Sequence, residues 1–144
     1  MGRMDEANAV SRARVLVADD SAAVARQLRR LLADDFDVVG VVGDGLSLLR
    51  AARDAPPEVL VIDVAMPGMD GLQVAETLAR ECSACRFVFI TVHAERALVE
   101  RALRLSPCGY VLKPQAGEDL VAAVQSVLAG RAFLSAALRR ETSN

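Results

Sequence analysis

Aromatic side chains are scarce: the 144 residues include no tryptophan, one tyrosine and four phenylalanines. Platforms that stack successive bases of single-stranded nucleic acid need such rings, so that class is excluded. An excess of positive charge is missing too, since 17 Lys and Arg against 19 Asp and Glu leave a net charge of -2. Nucleic-acid binding by this chain would require a strongly basic face, and Arg139 and Arg140 near the C-terminus are too few to supply one. No apolar run approaches the ~20 residues of a membrane helix. Met1 to Arg14 is polar and charged, without the apolar stretch of a secretory signal, so a cytoplasmic location is expected. Histidine is limited to His93 and cysteine to Cys82, Cys85 and Cys108. Cys82 and Cys85 have C-x-x-C spacing, but no second pair accompanies them, which argues against a structural zinc site. A thioredoxin-type pair belongs at a strand-to-helix turn, whereas this one falls between a helix and the following strand; the cysteines are read as inert thiols.

What is present is a repeated alternation. Five short apolar runs, Val15–Ala18, Val38–Val42, Val59–Ile62, Phe87–Ile90 and Tyr110–Leu112, are β-branched or aromatic and nearly continuous. Such runs suit strands covered on both faces. Between them, Val24, Leu28, Leu31 and Leu32 fall on one helical stripe, and Leu120, Val124, Val127 and Leu128 repeat that spacing. Leu72, Ala75, Leu78 and Ala79 mark another helix, and Leu46–Arg53 and Glu95–Arg104 complete the set. Strand–helix alternation predicts an α/β domain: a doubly wound parallel sheet with helices on both faces and right-handed crossovers. A 15.3 kDa chain fits one such domain and buries roughly 70% of its unfolded surface, so it needs no staple.

In sheets of this kind ligands bind beyond the carboxyl ends of the strands. Polar residues collect there. The first run ends in Asp19-Asp20-Ser21, the third in Asp63, the fourth in Thr91 and the fifth in Lys113-Pro114. Taken singly, each has an ordinary reading. Asp19 or Asp20 suits a helix N-cap, Thr91 a β-branched strand residue, and Lys113 a solvated lysine. Asp63 is harder to dismiss, because a carboxylate ending a buried strand needs a partner. Three carboxylates on one rim repel, and a hard divalent cation such as magnesium relieves that. With a hydroxyl and an ammonium alongside, the set suits phosphoryl transfer, in which neutralising charge is most of the work.

These residues resemble the receiver domains of two-component response regulators. The likeness runs from about Arg14 to Gly130 and rests on Val-Leu-Val-Ala-Asp-Asp at 15–20, on Asp63-Val-Ala-Met-Pro-Gly-Met-Asp-Gly-Leu72, on Thr91 and on Gly109-Tyr-Val-Leu-Lys-Pro114. The resemblance implies a flavodoxin-like five-stranded sheet of order 2-1-3-4-5. It implies that Asp63 accepts a phosphoryl group from a histidine kinase. Asp19, Asp20, Asp63 and the Ala65 backbone carbonyl would bind Mg2+, with Thr91 and Lys113 contacting the phosphoryl oxygens. Asp70 serves as an N-cap or turn residue. Thr91 and Tyr110 form the switch, in which Tyr110 passes from exposed to buried. Beyond self-phosphorylation and self-dephosphorylation at Asp63, no enzyme activity is implied. Ala65 and His93 sit where the family tunes dephosphorylation, so His93 is expected to influence water access rather than the chemistry.

The Gly43-Asp44-Gly45 turn and the Gly130-Arg-Ala-Phe-Leu-Ser135 ending are similar to the NarL/FixJ type, in which a DNA-binding helix-turn-helix follows and transcription is regulated. The sequence given does not contain that output domain, so a fragment or a free-standing receiver is expected. Residues 1–13 are expected to be a flexible segment, 14–130 the receiver, and 131–144 a linker or tail. A homodimer is expected through the helix 4–strand 5–helix 5 face or the helix 1–helix 5 face. Two departures from the family pattern stand out: Leu105-Ser-Pro-Cys108 where a small-residue turn is usual, and the bulky Val92 after Thr91. Three other readings compete. A receiver-like interaction module that works without phosphorylation keeps the fold but leaves the acidic set unexplained. A magnesium phosphohydrolase commonly has a second aspartate two residues after the nucleophile, where Ala65 stands here. A nucleotide-binding domain would need a Gly-rich loop after the first strand.

Overall fold

The computed structural model describes residues 12–82, 84–105 and 107–142. The five apolar runs form β1 (Arg14–Ala18), β2 (Asp37–Val42), β3 (Val59–Asp63), β4 (Arg86–Thr91) and β5 (Cys108–Leu112). Between and after them lie α1 (Ala22–Leu32), α2 (Gly45–Asp54), α3 (Gly71–Glu81), α4 (Arg96–Leu103) and α5 (Ala116–Leu128). Every strand pairing is parallel. The order β2-β1-β3-β4-β5 is the one expected, with β3 at the centre and buried along its whole length.

Alternation along each strand splits the core into two layers. Leu16, Leu60, Ile62, Phe87, Phe89 and Tyr110 face α2, α3 and α4. Val15, Val17, Val61, Val88, Ile90 and Val111 face α1 and α5. The helical stripes read from the sequence supply the other half of each layer: Leu28 and Leu32 of α1, and Leu120, Val124 and Val127 of α5, are essentially fully buried. Each large apolar side chain placed this way contributes about 1.5–3 kcal/mol.

The helix starts follow local chemistry. Ser21, not Asp19 or Asp20, caps α1, its Oγ accepting the Val24 N–H at 3.3 Å. Asp44 caps α2 through the Ser47 N–H at 2.8 Å. Asp70 caps α3, as the resemblance implies, in a capping box: its carboxylate accepts the Gln73 N–H at 2.8 Å and the Gln73 side chain accepts the Asp70 N–H at 3.1 Å. With Ser21 doing the capping, the two aspartates beside it are left for other work.

The C-terminal segment adds to the expected fold. The sheet has six strands, because β6 (Phe133–Leu134) pairs in parallel with β5. Residues 131–142, which fall in the segment expected as a linker or tail, continue the packed fold. They add β6 and a helix, α6 (Ala136–Thr142), whose Leu138 is 1% exposed and joins the Tyr110 layer of the core. Ser135 fastens the junction: its hydroxyl accepts the Leu112 N–H at 3.2 Å and donates to Asp119 at 2.8 Å. β6 thus lies along the Gly109–Tyr110 part of the β5 edge.

Candidate functional site

The rim at the carboxyl ends of β1, β3, β4 and β5 gathers the residues singled out from the sequence. Asp19 follows β1 and is 2% exposed; Asp63 ends β3 and is 3% exposed; Asp20 is exposed beside them. One carboxylate oxygen from each of the three lies within 4.8 Å of the others. Lys113, at the start of the 3-10 turn Lys113–Gln115 after β5, reaches across with its Nζ 3.1 Å from both Asp19 Oδ2 and Asp63 Oδ2. Backbone amides hold the remaining oxygens: Ser21 N–H donates to Asp19 Oδ1 at 2.9 Å and Ala65 N–H to Asp63 Oδ1 at 3.1 Å.

Two glycines shape the loop after β3. Gly68 takes a positive φ of 76°, which a side-chain-bearing residue adopts only with strain. Gly71 packs its α-carbon against the Asp63 carbonyl and Ile62, and any β-carbon there would collide with the backbone. This close approach lets α3 begin against the backbone at the end of β3.

Charge balance in the cluster favours a cation. Burial pushes the Asp63 carboxyl above the ordinary range; the Lys113 hydrogen bond opposes this and the neighbouring Asp19 reinforces it. Burial alone would lower Lys113, but its attraction to the two carboxylates, Asp19 and Asp63, together outweighs that and raises it. One ammonium thus serves two buried carboxylates. Asp19 Oδ2, although close to Nζ, has no hydrogen bond of acceptable geometry and is fully buried. A buried anionic oxygen left in that state is costly, and all-oxygen donors suit a hard divalent ion with retained waters. The residues present fit magnesium.

Thr91 ends β4 fully buried. Its Oγ1 accepts the His93 N–H at 3.0 Å, which leaves its own O–H proton available to an acceptor at the rim. Tyr110 is also fully buried, and its hydroxyl donates to the His93 carbonyl at 2.9 Å. Of the exposed and buried positions that the resemblance implies for Tyr110, the ring here takes the buried one. His93 Nδ1 lies 3.4 Å from Glu95 Oε1, in keeping with a loop position rather than a reacting one. Val92 is 65% exposed. The residue that sequence reasoning missed is Ser135: a serine after a two-residue strand has no signal until that strand is paired.

A family model described as "Response regulator receiver domain" matches residues 15–125. The chain belongs to the response regulator receiver family. Among curated proteins, the receiver is 35% identical over 124 residues to the response regulator GacA of Pseudomonas aeruginosa, covering 85% of this chain and 58% of GacA. It therefore spans less than two thirds of that relative's length. Among solved structures, a LuxR-family two-component response regulator from Aurantimonas sp. SI85-9A1 superposes with a TM-score of 0.86 at 28% identity, covering 92% of this chain and 96% of that one. The isolated receiver domain of RcsB from Salmonella enterica serovar Typhimurium, solved with the phosphomimetic BeF3-, gives 0.82 at 27% identity, with 90% and 98% covered. The LuxR-family neighbour supports the NarL/FixJ-like placement of this receiver. No helix among the described residues is long and apolar enough to cross a membrane.

Proposed function

We propose that Asp63 is the phospho-acceptor of this receiver, taking a phosphoryl group from the phosphohistidine of a histidine kinase in a magnesium-dependent reaction. The observation that carries this reading is the Lys113 ammonium 3.1 Å from both Asp19 and Asp63, with Asp20 alongside. An Asp63 oxygen forms the new bond to phosphorus, the phosphorus–nitrogen bond of the donor breaks, and the imidazole leaves with the electron pair and is protonated. No general base is needed, because an ionised carboxylate is already nucleophilic. Asp19, Asp20, Asp63 and the Ala65 carbonyl would hold the magnesium, which neutralises the repulsion between two approaching anions. Lys113 pairs with the phosphoryl oxygens as a point charge, and the Thr91 hydroxyl donates to them.

The switch follows from the shared partner His93. Drawing Thr91 toward a phosphoryl group disturbs the bond its Oγ1 makes with the His93 N–H, and the His93 carbonyl holds Tyr110 inward. Repacking there reaches α4, β5 and the β6–α6 segment, through which an output domain or partner would read the state. Regulation of transcription is the output we infer for a full-length protein of this type. Because β6 pairs with the edge of β5, we favour the α1–α5 face for a second protomer. Like other receivers, the chain would act in the cytoplasm.

The test is uptake of a phosphoryl group from acetyl phosphate, or of beryllofluoride, in the presence of magnesium. Wild type should bind the mimic and Asp63→Ala should not, and omitting magnesium should abolish uptake. A wild type that takes up neither would sink the reading and favour an interaction module that works without phosphorylation. His93→Ala is expected to change the lifetime of the phosphorylated form, and an unaltered lifetime removes His93 from that role.

A further inference from the structure

We propose that Cys82 and Cys85 form a disulfide-exchange pair that is reversibly oxidised by small disulfides of the glutathione class. The proposal does not rest on the reading of Asp63, because the pair lies at the opposite ends of the strands from the acidic rim. Cys82 follows the last residue of α3, and Cys85 directly precedes β4, whose far end carries Thr91.

Proximity carries the argument. The Cys85 thiol donates to Cys82 Sγ at 3.0 Å, and the Cys85 N–H donates to the Cys82 carbonyl at 3.4 Å. A turn closed by such an i to i+3 bond holds its end α-carbons within about 7 Å, and disulfides span about 4.4–6.8 Å between α-carbons. The bond can therefore form with little movement of α3 or β4.

The two thiols differ as an attacking and a resolving cysteine should. Cys82 is partly exposed and Cys85 is buried. Hydrogen bonding from Cys85, helped by backbone N–H groups of Ala84 and Cys85, lowers the Cys82 thiol and outweighs its burial. Burial pushes Cys85 up to about 12. Both line an open cavity of about 270 Å3 with Arg86, Arg104, Leu105 and Pro107. The Arg104 guanidinium there suits a carboxylate of a glutathione-like disulfide. Cys108 is different: it is fully buried, and its thiol donates to the Ala102 carbonyl at 3.1 Å.

The exchange balances in two steps. The Cys82 thiolate attacks one sulfur of the small disulfide; the S–S bond breaks, and one small thiol leaves carrying the proton that Cys82 gave up. The Cys85 sulfur then attacks Cys82 in the mixed disulfide and expels the second small thiol, which carries the Cys85 proton. Two protein thiols are oxidised by two electrons, and one small disulfide is reduced to two thiols.

The experiment treats the full chain with excess oxidised glutathione and follows thiol titre, intact mass and peptide mapping. The expected result is loss of two of the three thiols, a mass lower by two hydrogens, a mapped Cys82–Cys85 link, and full reversal by dithiothreitol. Cys85→Ser should stop at a glutathione adduct on Cys82, Cys82→Ser should take up no glutathione, and Cys108→Ser should behave as wild type. Retention of all three thiols, a stable glutathione adduct on the wild type, or a link between chains would each overturn the proposal. The wild-type map decides the question even if a serine variant does not fold.

Discussion

The hydroxyl of Tyr110 donates to the backbone carbonyl of His93 at 2.9 Å, tying the middle of β5 to the loop that leaves β4. His93 also donates its N–H to Thr91, so one loop residue is bonded both to the Thr91 hydroxyl and to the Tyr110 hydroxyl. Tyr110 is therefore held inward by a specific acceptor as well as by its packing against Phe89, whose ring centroid lies 6.3 Å away.

Tyr110→Phe leaves the His93 carbonyl without its donor and should cost about 0.5–1.5 kcal/mol in urea unfolding. Burial, helped by the charge of Glu95, raises the phenol above its ordinary range. Since Tyr110 is the only tyrosine, ultraviolet titration reads it alone. The phenolate signal should appear well above the usual value of about 10. Ionisation at that usual value would mean that the ring samples an exposed position.

The acidic rim is expected to oppose folding when no cation is bound. Asp63 is raised in the folded state by burial and by Asp19, so protonation favours the native form. The penalty of its ionised form is present above its folded pKa and disappears as the pH falls toward the unfolded value of about 3.8. In magnesium-free buffer at neutral pH, Asp63→Asn should therefore raise the melting temperature. Lys113→Met should lower stability by about 1.5–3 kcal/mol, the range for a charged hydrogen bond. Asp63→Asn should stabilise the Lys113→Met variant more than it stabilises wild type, because it then removes a buried carboxylate that has lost its cation. Additive effects would show that Lys113 and Asp63 are not coupled.

Leu138 anchors α6 on the core and is 1% exposed. Leu138→Ala should cost about 2–5 kcal/mol, the range for emptying a buried leucine site. Hydrogen exchange separates local from global loss. The Ser135 N–H, which donates to the Tyr110 carbonyl at 3.1 Å, should exchange at least about 30-fold faster, while β3 amides change less. Equal acceleration in β3 would mean that β6 and α6 unfold only with the whole domain.

Glu76 of α3 and Arg101 of α4 form a two-pronged pair at 2.6 and 2.9 Å. The Arg101 hydrogen bonds hold Glu76 below its ordinary value of about 4.5. The stabilisation is present above that value and is lost as the pH falls through the depressed folded pKa. Both side chains are about a third exposed, so Glu76→Gln should cost no more than about 1 kcal/mol at neutral pH. The difference from wild type should vanish in acid. A cost that persists there would point to packing rather than charge.

Much of this protein was determined by sequence alone. Continuous β-branched runs such as Val59–Ile62 are stable only when covered on both faces, and the stripe of Leu28 and Leu32 has to face a sheet. The alternation of strands and helices followed from that; the order that sets β1, β3, β4 and β5 side by side, and so gathers Asp19, Asp20, Asp63, Thr91 and Lys113 on one rim, was implied by the likeness to receiver domains. Tertiary structure decided the rest. Phe133–Leu134 is too short to show a strand period, and it becomes β6 only because the edge of β5 offers unpaired backbone groups. Tyr110 lies inward through its packing on Phe89 and its bond to the His93 carbonyl, 17 residues away in sequence. Ser135 acquires its role from Leu112 and Asp119, which only the docking of α5 beside β5 brings within reach. Cys82 and Cys85 were close in the chain from the start, but the turn between α3 and β4 determined that their sulfurs meet. Local pattern encodes which faces must be buried; contacts between distant segments depend on how those faces then close on one another.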